Sequence, residues 1–381
     1  MAKRITDRKL KWMDFLNGAN GVRTMYFINV VDDGDEHGYA CNCAGAGTGP
    51  ENNKVHMCGR IGGGGGPGER PLPWPGLIEN RIDWAYQNYC REMSRAEWLC
   101  DDRIPSLLPY TGTEIFAEAF GCKVYYPDNN MPFALPLYGN AKEAAGMKIP
   151  RVHDTPLDNL FEIARRLRQK TDGGAVVNLP DIQSPLDIAA LILNKEEFFI
   201  AMSEDPPLIH DMIEKTKSLL TAFLDEWFDE FGRSYIAHFP SYYMEGGMTL
   251  SEDEIGAFGP GMFEDFVLGA LNELSAKYGG IGIHCCADSE HQWANLKKVK
   301  GLKILNLVNG ADFIKRSNTE FADTVALWPM GGARESANEP GWLRECPGNA
   351  RVVLTYRAQN RREAIEIAGR AEELCAARAG L

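Results

Sequence analysis

Residues 281–290 read IGIHCCADSE. Ile281, Gly282 and Ile283 have the character of a buried strand near its end. His284, Cys285 and Cys286 then place one imidazole and two thiols where the strand gives way to a loop. Parallel α/β folds gather reactive groups in this way, at the carboxyl ends of their strands. The same pattern extends outward in both directions. Strand candidates stand at 23–31, 122–126, 175–179, 234–239, 279–285, 302–307, 324–328 and 351–356. The segments between them are helical. In 209–231 an apolar stripe at a period of 3.6 runs from Ile209 to Phe231, the mark of a helix packed on a core. A final helix is predicted over about 360–378. Eight strands alternating with helices predict an α/β fold of the (β/α)8 TIM-barrel type. An open doubly wound sheet is the alternative, but no glycine fingerprint follows the first strand.

Composition sets bounds. The chain has 381 residues, 44% of them hydrophobic, enough for one large barrel. Its 40 basic and 53 acidic side chains give a net charge of −13. Such a balance argues against nucleic acid and against anionic membrane surfaces, both of which favour basic proteins. No apolar run reaches the length of a membrane span. The opening MAKRITDRKLKWMDFL lacks the apolar segment of a signal peptide and predicts an amphipathic helix from Thr6 to about Asn17. The expected location is cytoplasmic, where the ten cysteines would stay reduced.

Residues 32–76 break the pattern with glycine-dense stretches such as RIGGGGGPGERPLPWPG. Glycine at this density disfavours helix and strand alike. The expected division is an N-terminal extension, residues 1–90, with a glycine-rich loop as lid over the barrel mouth, and a barrel over 91–381. Cys41, Cys43, His56 and Cys58 within the loop fit either a small zinc site or a plain lid, and their spacing matches no zinc-finger pattern. The five glycines at 62–66 lack the Gly-Lys-Ser/Thr of a phosphate loop and read as a hinge.

In a barrel, the residues after the strands form the active face. They are Asn178, Asp181 and Gln183; His238, Tyr242, Tyr243 and Glu245; His284, Cys286 and Asp288; Asn306 and Asn309; Trp328 and Arg334; and Tyr356 and Arg357. His284, Cys286, Glu245, Tyr243 and His238 are the catalytic candidates, since imidazole, thiol, acid and phenol converge there. Asn178, Gln183, Tyr242, Asn306, Trp328, Arg334, Tyr356 and Arg357 are the substrate-binding candidates. Phe239 and Trp328 read as walls. Ser251 and Glu254 have the spacing of a capping box.

The segments GTEIFAEAFGCKVYYPDNNMPFALPL (112–137), DIQSPLDIAALILNKEEFFIAMSEDPPLIHDMIEKTKSLLTAFLDEWFDEFG and MFEDFVLGALNELSAKYGGIGIHCC resemble the uroporphyrinogen decarboxylase superfamily. The resemblance runs over roughly residues 90–381 and implies a (β/α)8 barrel. True decarboxylases of that superfamily carry an arginine-rich loop after the first strand. Here the strand is followed by DDGDEHGYACNC, whose acids would repel a polycarboxylate. The resemblance is therefore closer to the cobamide-dependent methyltransferases, some of which hold zinc through His-x-Cys and a later cysteine. His284 and Cys286 match His-x-Cys. It implies a methyltransferase acting between a small methylated compound and a corrinoid carried on a partner protein, with zinc as cofactor. No later cysteine follows the last strand, which reads VVLTYRAQN. Glu245 or His238 is the expected third ligand. Two readings stay open beside it: a metal-free, hydrogen-bonded strand end, and a decarboxylase-like lyase whose small carboxylated substrate is clamped by Arg334 or Arg357.

Overall fold

The structure, a computed structural model, describes residues 4–32, 75–109, 111–127, 131–171, 173–308, 310–322, 324–329 and 338–379. The glycine-rich loop from residue 33 to 74, with Cys41, Cys43, His56 and Cys58, lies outside these, as do Asn309 and Arg334.

Twelve strands are present among the described residues: β1 (Thr24–Asp32), β2 (Ser106–Leu107), β3 (Lys123–Tyr125), β4 (Phe133–Leu135), β5 (Val176–Asn178), β6 (Ser234–Ile236), β7 (Tyr243–Glu245), β8 (Met248–Ser251), β9 (Ile281–Cys285), β10 (Leu302–Leu307), β11 (Ala326–Leu327) and β12 (Val352–Asn360). One sheet runs β1-β12-β11-β10-β9-β8 and is wholly parallel. A second runs β2-β5-β6-β7, with only β6 and β7 antiparallel. Hydrogen bonds join the two sheets at both edges. On one side the Asp102 N–H donates to the Tyr26 carbonyl at 3.0 Å, and carboxylates stand in for missing carbonyls. Asp102 Oδ2 accepts the Tyr26 N–H at 2.9 Å, and Asp101 Oδ2 accepts that of Ile28 at 3.2 Å. On the other side Ser251 pairs with the segment after β5, exchanging bonds with Ile182 and Ser184 at 2.8 Å each. The result is a (β/α)8 barrel in which β6, β7 and β8 together fill one of the eight strand–helix units.

Seven of the eight predicted strands are barrel strands. The exception is 122–126. Its apolar, β-prone residues form β3, which pairs antiparallel with β4 in a hairpin whose Tyr125, Phe133 and Leu135 are exposed. The barrel strand in its place is β2, two residues long and flanked by Pro105 and Pro109. Proline removes a backbone donor and disguises so short a strand as a loop. Ser251 likewise is no helix cap. It ends β8, which sequence reading omitted. β1, which belongs to the expected extension of residues 1–90, lies in the ring beside β12.

Along β1 and β12 the side chains alternate. Met25, Phe27 and Val353 join the inner core, whereas Tyr26, Ile28, Leu354 and Tyr356 pack outward with the final helix, Arg361–Ala379. That helix opens where expected: the Asn360 side chain accepts from the Glu363 N–H, and the Glu363 carboxylate accepts from the Gln359 N–H. The 209–231 stripe belongs to the helix Pro206–Phe231, where eleven residues, Leu208 to Phe228, are buried. Each large apolar side chain there contributes roughly 1.5–3 kcal/mol. The first helix, Ile5–Asn17, sits against the amino-terminal end of the ring. Trp12 is buried against Phe27, Tyr242 and Trp328. No helix among the described residues is long and apolar enough to cross a membrane.

Candidate functional site

β8 and β9 begin alike, each from a glycine pair, GGMTLSED at 246–253 and GGIGIHCC at 279–286. They pair in register, Met248 with Ile281 and Ser251 with His284. The residue two beyond Ser251 is Asp253, and two beyond His284 is Cys286. The register therefore sets these side by side at the strand ends. The Asp253 carboxylate accepts the Cys286 backbone N–H at 2.6 Å. One ligand atom each from Asp253, His284 and Cys286 lies within 4.8 Å of the others. Among the described residues no other group of three His, Cys, Asp or Glu side chains comes so close.

Each of the three is held from behind. His284 Nδ1 lies 2.5 Å from Asn306 Oδ1. The Asn306 amide nitrogen donates to the Trp328 carbonyl at 2.6 Å, so its oxygen must face the imidazole. A carbonyl can only accept, which fixes the amide. His284 Nδ1 then carries the proton, and Nε2 keeps its lone pair for a ligand. The Phe239 ring meets the imidazole edge-on at 4.8 Å. Asp187 accepts the backbone N–H of Asp253 at 2.7 Å and of Glu254 at 3.1 Å, and so fixes the loop that carries the acid. Burial and the nearby Asp253 charge raise the Asp187 carboxyl to about 7. Burial and Asp187 together hold Glu252 far above the usual carboxylate range. The Cys286 thiol, exposed at the rim, is pushed up to about 12 by desolvation and by Asp253. Without a cation it stays a thiol, and a cation bound to it would hold it as thiolate. Cys285 is buried, with its sulfur toward the Ala287 carbonyl, and faces the packing. Gly282 is required beside it. A Cβ there would stand 2.0 Å from the Tyr242 hydroxyl.

The remaining candidates divide. Asn178, Gln183, His238, Asn306 and Trp328 stand on or just past strand ends of the mouth, His238 with Asp181 at 3.6 Å. Arg357 is exposed on the inward register of β12, beside Asn29 of β1. Tyr243 and Glu245 are corrections. β7 runs antiparallel to β6 and pairs Glu245 with Ser234, which carries both residues back toward the amino-terminal end. There Lys9 of the first helix lies over the Tyr243 ring. Glu245 therefore lies apart from His284 and Cys286, and the acid beside them is Asp253. Tyr242 lies inside the ring rather than at the rim, and Tyr356 faces the outer helices. Cys346 packs near Arg378, ahead of β12 and away from the mouth. Two residues were missed, Asp253 and Glu114. The matched glycine pairs of β8 and β9 were the signal for the first.

The mouth of this barrel offers nitrogen, sulfur and oxygen donors on adjacent strands, where (β/α)8 enzymes gather their reactive groups. The sequence model for uroporphyrinogen decarboxylase (URO-D) matches residues 109–328, and the chain belongs to that family. Among solved structures, a methyltransferase from Methanosarcina mazei is similar, with a TM-score of 0.55 and 11% identity, over 80% of this chain and 88% of that one. No curated protein sequence matches the chain.

Proposed function

We propose that the protein is a methyltransferase that moves a methyl group between a small methylated compound and a corrinoid carried on a partner protein. The observation that carries this is the group Asp253, His284 and Cys286 at the mouth of a URO-D barrel. The methyltransferase from Methanosarcina mazei, alike in fold, supports it. The donor set fits zinc: one imidazole nitrogen, one thiol and one carboxylate, with a fourth position open to substrate, as in catalytic zinc sites. His284 would offer Nε2, Cys286 its sulfur and Asp253 one carboxylate oxygen. Bound zinc supplies Lewis acidity toward the heteroatom that gains or loses the methyl group. The chain's own residues do the rest. Asn306 orients the imidazole, Asp187 holds the Asp253 loop, and Phe239 packs against the imidazole.

Metal analysis of protein purified without a chelating tag tests the reading. About one zinc per chain is expected in the wild type, and much less in Cys286→Ala. Methyl transfer from methylcobalamin should fall with it. A metal-free wild type, or full activity in Cys286→Ala, would overturn the metal-centred reading.

A further inference from the structure

A second polar group lies at the same mouth, on β2, β5 and β6. These strands are neighbours, and Glu114, Asn178, Asp181 and His238 all follow or end them. Glu114 and Asn178 are each 3% exposed. Glu114 Oε2 and Asn178 Oδ1 have no hydrogen-bond partner among the described residues. An unpaired buried acceptor costs about 1–3 kcal/mol, so two at one strand-end cluster call for a ligand that donates to them. The charge is acidic as well. Burial raises the Glu114 carboxyl to about 8, the charges of Glu118 and Asp181 add to the rise, and Arg81 opposes it. The Asp181 N–H donates to the Thr111 hydroxyl at 2.9 Å, which ties the segment after β5 to the loop that carries Glu114.

We propose that the ends of β2, β5 and β6 form a subsite for a protonated amine, with Glu114 and Asn178 as acceptors and Asp181 as counter-charge. Buried carboxyl and amide acceptors beside a further acid are the chemistry that recognises a protonated amine. A metal ion is the poorer fit, because these acids do not bring three ligand atoms together. The subsite touches the zinc candidate group through protein. Asp181 Oδ2 lies 3.6 Å from His238 Nε2, and the next residue, Phe239, packs on His284. An ammonium head held by Asp181 would leave the rest of the molecule facing His284 and Cys286. This names a substrate class for the methyltransferase reading and rests on that reading for its role in turnover. The subsite itself can be tested apart from it.

The experiment titrates the purified full-length protein with dimethylammonium chloride by calorimetry, with anisole as a neutral methyl-bearing control. Saturable binding of dimethylammonium is expected, and none of anisole at the same concentrations. Asp181→Asn should weaken it about tenfold or more. Glu114→Gln keeps an acceptor and should cost less. If Asp181→Asn does not fold, Asn178→Leu serves, with about fivefold weaker binding expected from one lost acceptor. Absent ammonium binding in the wild type, wild-type affinity in the folded variants, or anisole binding as tight as dimethylammonium would each overturn the subsite. Zinc is measured on the same preparations. A metal-free protein that binds dimethylammonium upholds the subsite and fails the metal centre. A zinc-loaded protein that does not bind it fails the subsite alone.

Discussion

Two sets of acids are buried in this barrel, and they are held in opposite ways. Near the start of the strands, Asp101 and Asp102 accept backbone N–H groups of β1 and face cations from the first helix. Lys11 meets Asp102 at 2.6 Å, and Arg8 meets Asp101 at 3.4 Å while also donating to the Leu99 and Arg103 carbonyls. At the other end, Glu114 keeps one oxygen without a partner, and Asp187 and Glu252 face each other rather than a cation. The first set closes the ring. The second destabilises the empty protein and is the sort of arrangement that function retains. Buried acid paired with a cation marks architecture, and buried acid without a cation marks a site.

Mutation can break or sharpen that contrast. The largest effect is expected from Arg8→Met. It leaves Asp101 in a buried position with its main cation gone, and loss of one member of a buried pair costs about 3–5 kcal/mol. Urea denaturation reads it directly. A loss under about 1 kcal/mol would show that the clasp does not hold the seam. Next comes Asn306→Ala, which frees the His284 ring. Removing such a partner costs about 10–100-fold in metal affinity, read by competition with a chromogenic chelator. Unchanged affinity would remove Asn306 from the site.

Glu114→Gln should act more gently and in the opposite sense from Arg8→Met. The folded carboxyl titrates near 8, above its ordinary value of 4.5. Its protonated form stabilises the fold fully below about 4.5, and that contribution is lost as pH rises through about 8. Between pH 6 and 8 the variant should gain on the wild type by about 2 kcal/mol. Thermal melts of both proteins across that range check it, and parallel curves would count against a buried, protonated Glu114. The smallest effect belongs to Glu245→Gln. This exposed residue lies away from the mouth, so zinc content should hold and stability should move within about 0.5 kcal/mol. Lost zinc in that variant would return Glu245 to the metal site.

How legible was this in the sequence? Long strands announced themselves: β1, β9, β10 and β12 have apolar runs bounded by turns, and the (β/α)8 arrangement followed from them. β2 did not, because a two-residue strand between close prolines carries no periodicity. The exposed hairpin of β3 borrowed its place, since a β-prone run looks the same on a surface as in a ring. His284 and Cys286 were legible because ligand-type residues broke an apolar strand. Asp253 was hidden by the Ser251 and Glu254 spacing, which imitates a helix start. Glu245 was misplaced because a sequence does not say that a chain reverses: β7 folds back on β6, and Glu245 comes to lie opposite Ser234, where β6 begins.

The pairing of β1 with β12 has a consequence for how the chain comes together. The Tyr26 hydroxyl donates to Glu372, 346 residues away along the chain, and Thr24 is bound by Arg378. During synthesis, β1 emerges early and must wait for its neighbour until almost everything else has been made. Its N–H groups on the other side are taken by Asp101 and Asp102, residues available far sooner. The clasp therefore holds the growing edge in an occupied state, as a hem holds cloth before the seam is sewn. Contacts this distant in sequence slow the final closure and expose a strand to wrong partners in the interval. A ring that finds its last neighbour late gains most from having its first edge already spoken for.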